Sequence, residues 1–132
     1  MISNKIDLNC QVGGDAYISC KNFNMDYFGF IYRDLYLNST EVSLGGYLYR
    51  NAFINCKALS TKPNFISVNT FNVENCTDLK LSGELQGNLK LISENIEISS
   101  DCKILGNIDY SSILEIDFGS RSFRKYELYK VF

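Results

Sequence analysis

The sequence predicts an all-β fold, a right-handed parallel β-helix (solenoid) of about six to seven turns of roughly 18 residues each. Three observations predict it. A seven-residue phrase, clearest at residues 85–91, recurs along nearly the whole chain. Each copy is followed by a small residue and then by two apolar residues separated by one position. The copies lie so close together that one unit cannot bury an apolar face of its own and has to stack on its neighbours.

The phrase reads apolar, any, Gly or Arg, Asp or Asn, apolar, any, apolar. It occupies residues 12–18, 31–37, 48–54, 85–91 and 104–110, with a blurred copy at 67–73. Its fifth residues are Ala16, Leu35, Ala52, Phe71, Leu89 and Ile108, in steps of 19, 17, 19, 18 and 19 residues. The small residues that follow are Cys20, Ser39, Cys56, Cys76, Ser93 and Ser112. The apolar pairs after them are Phe23/Met25, Val42/Leu44, Leu59/Thr61, Leu79/Leu81, Ile96/Ile98 and Leu114/Ile116, with Thr61 the polar exception. Ser3 followed by Ile6 and Leu8 adds a partial leading turn.

Apolar residues two apart have strand spacing, because successive side chains point to opposite faces. Three short strands per turn are therefore expected. The first carries the phrase and the second carries the apolar pair. The third lies near Phe28 to Phe30, Tyr47, Phe65, Leu85 and Cys102 and runs into the next phrase. Each strand would pair in parallel with its equivalent one turn away, at ~4.8 Å. Steps that wander between 17 and 19 residues do not suit the strict six-residue repeat of left-handed hexapeptide helices, and parallel crossovers favour the right hand. Residues 1–132 read as a single domain, with 119–132 a C-terminal cap or extra turn. The recurrent Asp15, Asp34, Asn51, Asn88 and Asn107 are expected at corners, bonding the backbone of their own turn.

Charge and composition exclude several functions. Thirteen basic residues stand against fifteen acidic ones, and no Lys/Arg run forms a phosphate-binding groove; Arg121, Arg124 and Lys125 come nearest, so no nucleic-acid partner is expected. No apolar run approaches the ~20 residues of a membrane span, and residues 1–5 lack a signal-peptide core, so the expected location is cytoplasmic. Five cysteines without a CxxC pair fit neither a disulfide framework nor a zinc site. The chain has no histidine, which removes the commonest general base and a common metal ligand. The scattered carboxylates read as solvated surface. The expectation is a protein that is not an enzyme, with no catalytic residue, no cofactor and no metal.

Two sets of residues stand out as candidate contact sites. Tyr17, Tyr36 and Phe53 occupy the outward middle position of the phrase in successive turns, and Tyr32 and Tyr49 point outward beside them. Such a patch is a candidate binding face for a protein or carbohydrate, or a set of stabilising cross-strand pairs. The other set is at the ends, where a solenoid exposes unpaired backbone: Ile6, Leu8, Leu114, Ile116 and Phe118 are candidate self-association residues. Stacking brings Cys56 and Cys76 near disulfide distance, although buried free thiols are the reading preferred for this column.

The repeated phrase, and especially the run Cys102 to Ser112, resembles the bactofilins, a family of bacterial polymer-forming cytoskeletal proteins. The likeness spans about Ile6 to Phe118. It implies a compact right-handed β-helix that polymerises end to end through its terminal turns without nucleotide and serves as a scaffold at the inner face of the membrane. The chain departs from the family in its short tails, its wealth of tyrosine and an N-terminus that only echoes a membrane-targeting segment in Met1, Ile2 and Lys5. The alternative function is a non-enzymatic β-helical binding module that uses the aromatic face.

Overall fold

The computed structural model describes residues 2–109, 115–118 and 121–124, with side chains over residues 4–108. In chain order the strands are β1 (Ile2–Leu8), β2 (Gln11–Val12), β3 (Ala16–Met25), β4 (Phe30–Ile31), β5 (Leu35–Leu44), β6 (Tyr47–Leu48), β7 (Ala52–Asn55) and β8 (Ala58–Thr61). There follow β9 (Ile66–Ser67), β10 (Phe71–Leu81), β11 (Glu84–Leu85), β12 (Leu89–Ile98), β13 (Lys103–Ile104), β14 (Ile108–Asp109), β15 (Glu115–Phe118) and β16 (Arg121–Arg124). Among the described residues there is no helix, and so none long and apolar enough to cross a membrane.

These strands coil into a β-solenoid of about six turns. The long strands form one ten-stranded sheet, in the order β1-β3-β5-β7-β10-β12-β15-β16 with β8 and β14 alongside, and the two-residue strands form a second sheet of six. All pairings are parallel except the last, where β16 runs antiparallel to β15. The register stacks equivalent residues, so that Ile6, Phe23, Val42, Leu59, Leu79 and Ile96 make one continuous column. Burial of such columns between the two sheets is the core, which contains Phe23, Leu44, Leu48, Ile54, Phe71 and Leu91.

The structure corrects the three-strand expectation in two ways. First, in β3, β5, β10 and β12 the expected first and second strands run on as one strand of ten or eleven residues with a bend in it, whereas β7 and β8 stay separate. In β5 the buried residues Leu35, Leu37 and Ser39 are followed by two consecutive exposed residues, Thr40 and Glu41, before Val42 and Leu44 turn inward again. That slip in alternation is the corner. A small side chain at the slip lets the strand bend inward without crowding the core, and where both neighbours bend at the equivalent residue, as in β3 and β5, the hydrogen-bonded ladder carries on. Second, the phrase straddles the other corner: its first residue (Ile31, Leu48, Ser67 or Leu85) lies in the short-strand sheet and its last three lie in the long-strand sheet.

The wandering repeat length has a structural cause. From the last inward residue of a long strand to the inward residue of the next short strand, Leu8 to Val12, Leu44 to Leu48 and Leu81 to Leu85 are four residues apart. The alternate connections, Met25 to Ile31, Thr61 to Ser67 and Ile98 to Ile104, are six apart. The longer corners contain β-turns closed by Gly29 N to Asp26 O, Phe65 N to Lys62 O and Cys102 N to Ser99 O, each 3.0 Å. Pro63 fits the second turn position, which donates no hydrogen bond. Turns of 19 and 17 residues therefore alternate, and the single 18-residue step carries one extra residue, Asn75, in a bulge at φ 56°. Asparagine tolerates this left-handed conformation better than most residues.

Two glycines follow from the alternation. Gly46 and Gly83 have φ of 75° and 84°. Each packs on a longer corner, where an added Cβ would run into the carbonyl of Gly29 or of Phe65. Gly83→Ala is expected to destabilise the fold by about 2 kcal/mol or more, combining left-handed strain with the clash, measured by chemical denaturation. The polar exception Thr61 is satisfied, donating to Ser82 O at 2.9 Å and accepting from Ser82 N at 2.7 Å. Ser67 Oγ, in contrast, is buried without a hydrogen-bond partner among the described residues. Ser67→Ala should raise stability by about 1 kcal/mol by removing that unmet hydroxyl, in the same denaturation assay.

Candidate interaction surfaces

The corner between the two sheets is held by the recurrent Asp/Asn column. Each side chain reaches to the following turn, and not to its own turn as the sequence pattern suggests: Asp15 Oδ1 accepts from Asp34 N (3.0 Å), Asp34 Oδ1 from Asn51 N (3.1 Å) and Asn51 Oδ1 from Thr70 N (3.3 Å). Asn88 Oδ1 accepts from Asn107 N in the same way at 3.1 Å. The short side chain points along the stacking direction, so the nearest orphan amide is the one a turn away. The corner residues thus act as rungs between turns.

This corner places aromatic residues on both sides. On the long-strand sheet, Tyr17, Tyr36 and Phe53 are in register. Their rings stack face to face, with centroids 4.7 Å apart at 5° for Tyr17/Tyr36 and 5.1 Å apart at 11° for Tyr36/Phe53. All three are exposed, at 67%, 37% and 41%, and Asn72 continues the column by donating from Nδ2 to Ala52 O. Partial burial, then the nearby Asp34 carboxylate and Tyr17, raise the Tyr36 phenol above its ordinary pKa. A hollow of about 400 Å³ lies against it.

On the short-strand sheet, Tyr32 stacks on Tyr49 (4.9 Å, 9°) and Tyr47 stacks beside Tyr49 (5.3 Å, 20°). Phe30 meets Tyr47 edge-on at 5.2 Å, and Tyr32 Oη donates to Gln11 Oε1 at 3.4 Å. The sequence reading missed Phe30 and Tyr47 as members of this cluster. The available signal is alternation about the inward residues Ile31 and Leu48, which sends both of their neighbours outward. Also missed is the exposed edge-to-face pair Tyr27/Phe28 at the tip of the first longer corner. Among the described residues, contacts between these exposed rings join members within each sheet but not across the corner; the ring contact that does cross it is the buried pair Phe65/Phe71.

The ring orientation limits what these columns can hold. Face-to-face stacking along the solenoid uses the ring faces against one another and turns their edges to solvent. Sugar rings and planar ligands pack on aromatic faces, and Tyr17, the first rung, is the most exposed ring of its column. Such pairs contribute about 0.5–1.5 kcal/mol each.

A third surface, not foreseen from the sequence, is a groove of about 840 Å³ along the second half of the long strands. Ala58 and Ser60 form its floor, and Glu41, Asp78, Lys5 and Lys80 stand around it. The hollow arises because Ala58 lies in register between Glu41 and Asp78.

At the ends, Ile6 and Leu8 are half-buried against the core, in register with Phe23 and Met25. Ile116 and Phe118 lie in β15, flanked by β12 and β16; their side chains and all of Leu114 fall outside the described residues. The cysteines are free thiols, and Cys20, Cys56 and Cys76 face inward in the bend column with Ser39 and Ser93. Burial, then Asp101, pushes the Cys102 thiol up to about 11. Among the described residues no cluster of three or more His, Cys, Asp or Glu side chains could hold a metal ion.

No family model, curated protein or solved structure matches the chain. The class that the stacked parallel strands define is the β-solenoid.

Replacing Tyr17, Tyr36 and Phe53 together by Ser should leave the solenoid folded and lower its stability by about 1–3 kcal/mol, the loss of two stacked pairs. Far-ultraviolet circular dichroism and denaturant titration would detect this, and outright unfolding would show that the column belongs to the core.

Proposed function

We propose that this chain is a bactofilin-like structural scaffold that self-associates through its terminal turns into nucleotide-independent polymers. The observation that carries the reading is β1. It is the terminal strand of the long-strand sheet, parallel to β3 and in full register with it, with Ile6 and Leu8 at the mouth of the core. The outer edge of such a strand is a template for one more strand, and a second molecule could continue both the ladder and the apolar columns. At the far end β15 is already covered by the antiparallel β16, which makes the β1 end the stronger candidate. The proposed location is the cytoplasm, and the proposed role is structural and not catalytic; a chain without histidine is consistent with that.

Light scattering and electron microscopy of the purified chain test the reading. The parent is expected to form assemblies without added nucleotide. Leu8→Arg should reduce them to monomers while circular dichroism still reports a folded β-protein, and Phe118→Arg tests the other end in the same way. A strictly monomeric parent at high concentration would remove the polymer reading and leave a binding module. The aromatic columns favour that second reading, and their exposed ring edges suit a protein partner better than a carbohydrate.

A further inference from the structure

The bend column carries two thiols at the place where the long-strand ladder lapses. Cys56 lies in the gap between β7 and β8, and Cys76 follows the Asn75 bulge of β10, where the register to β12 shifts. The pairs Asn55/Glu74 and Ala58/Asp78 bracket the two cysteines. The backbone bond from Cys56 N to Glu74 O is stretched to 3.4 Å, against 2.9 Å for Ala52 N to Thr70 O at the start of β7. The two sulfurs are 4.0 Å apart, and the residues are 3% and 4% exposed. Strands ~4.8 Å apart hold Cα atoms within the range that a disulfide spans, so side-chain rotation can close the remaining gap. A hollow of about 290 Å³ opens at this corner, and Cys56, Asn55 and Asn75 are among the residues that line it. It is far larger than a small peroxide, roughly two waters of ~30 Å³ each.

We propose that Cys56 and Cys76 form a reversible, peroxide-operated disulfide that staples consecutive turns where the ladder of β7 and β8 with β10 lapses. One of the two thiols attacks one peroxide oxygen: the S–O bond forms, the O–O bond breaks, and the departing oxygen leaves as water with the thiol proton. The other thiol then attacks the sulfenic sulfur: the S–S bond forms, the S–O bond breaks, and the hydroxyl leaves as a second water with the proton of the second thiol. Two thiols give two electrons to one peroxide, and a dithiol reductant reverses the reaction by becoming a disulfide itself. The other cysteines lack this geometry. Cys10 is exposed, Cys20 has Ser39 Oγ as its neighbour at 3.7 Å, and Cys102 lies at a different corner.

The test uses Cys10→Ser, which removes the exposed thiol and leaves the core intact. This variant is treated with hydrogen peroxide, unfolded, alkylated and mapped by mass spectrometry. The expected product links the Cys56 and Cys76 peptides with the loss of two hydrogens and reverts with dithiothreitol. In the folded oxidised protein, amide exchange at residues 55–57 and 74–76 should slow on the order of tenfold. Adding Cys76→Ser should abolish both effects. Full alkylation of both thiols after peroxide, separate sulfinic acids without a link, or unchanged exchange in a linked product would each overturn the proposal.

Discussion

Every feature of this fold depends on in-register hydrogen bonding between consecutive turns. A parallel ladder sets each residue ~4.8 Å from its equivalent in the next turn, so the side chain that suits one turn must also suit the two beside it. Apolar columns then bury themselves, Asp and Asn side chains find the neighbouring amide, and aromatic rings stack on one another. The same constraint makes departures local. Asn75 adds a residue, takes it up in a bulge at one bend, and the columns resume with Leu79 and Leu81 in register with Ile96 and Ile98.

The structural unit is better described as two turns than as one. Longer and shorter corners alternate, and the glycines at positions 46 and 83 are needed because each shorter corner lies on the β-turn of a longer one. The surfaces also differ along the solenoid. Stacked aromatic residues cluster in the early turns, and the polar groove follows the opposite half of the long strands, where Ala58 and Ser60 leave space between bulkier neighbours.

The sequence pattern made the interior legible. Residues two apart that are apolar in every copy, such as Leu35 and Leu37 or Leu89 and Leu91, face inward because strand alternation allows them nothing else, and Tyr17, Tyr36 and Phe53 face outward by the same rule. The corners were harder to read. Two consecutive exposed residues look like a loop between two strands, yet at Thr40 and Glu41 they mark a bend inside one continuous strand. The partner of Asp34 could not be read either, because an amide in its own turn and one in the next are equally plausible until the direction of the side chain is known.

What the amino-acid sequence determined by itself was the coil: a short repeat with period-two apolar pairs has no way to bury its inward face except by stacking parallel turns. Only the tertiary structure decided which way the rings of Tyr17, Tyr36 and Phe53 turn, that Cys56 and Cys76 bring their sulfurs to 4.0 Å, and that Ser67 keeps a buried hydroxyl without a partner. The reason is physical. Periodicity settles which side of a strand a side chain leaves from, whereas ring orientation, sulfur separation and hydrogen bonding depend on distances across turns, set by how the corners and the bulge at Asn75 place each rung on the next.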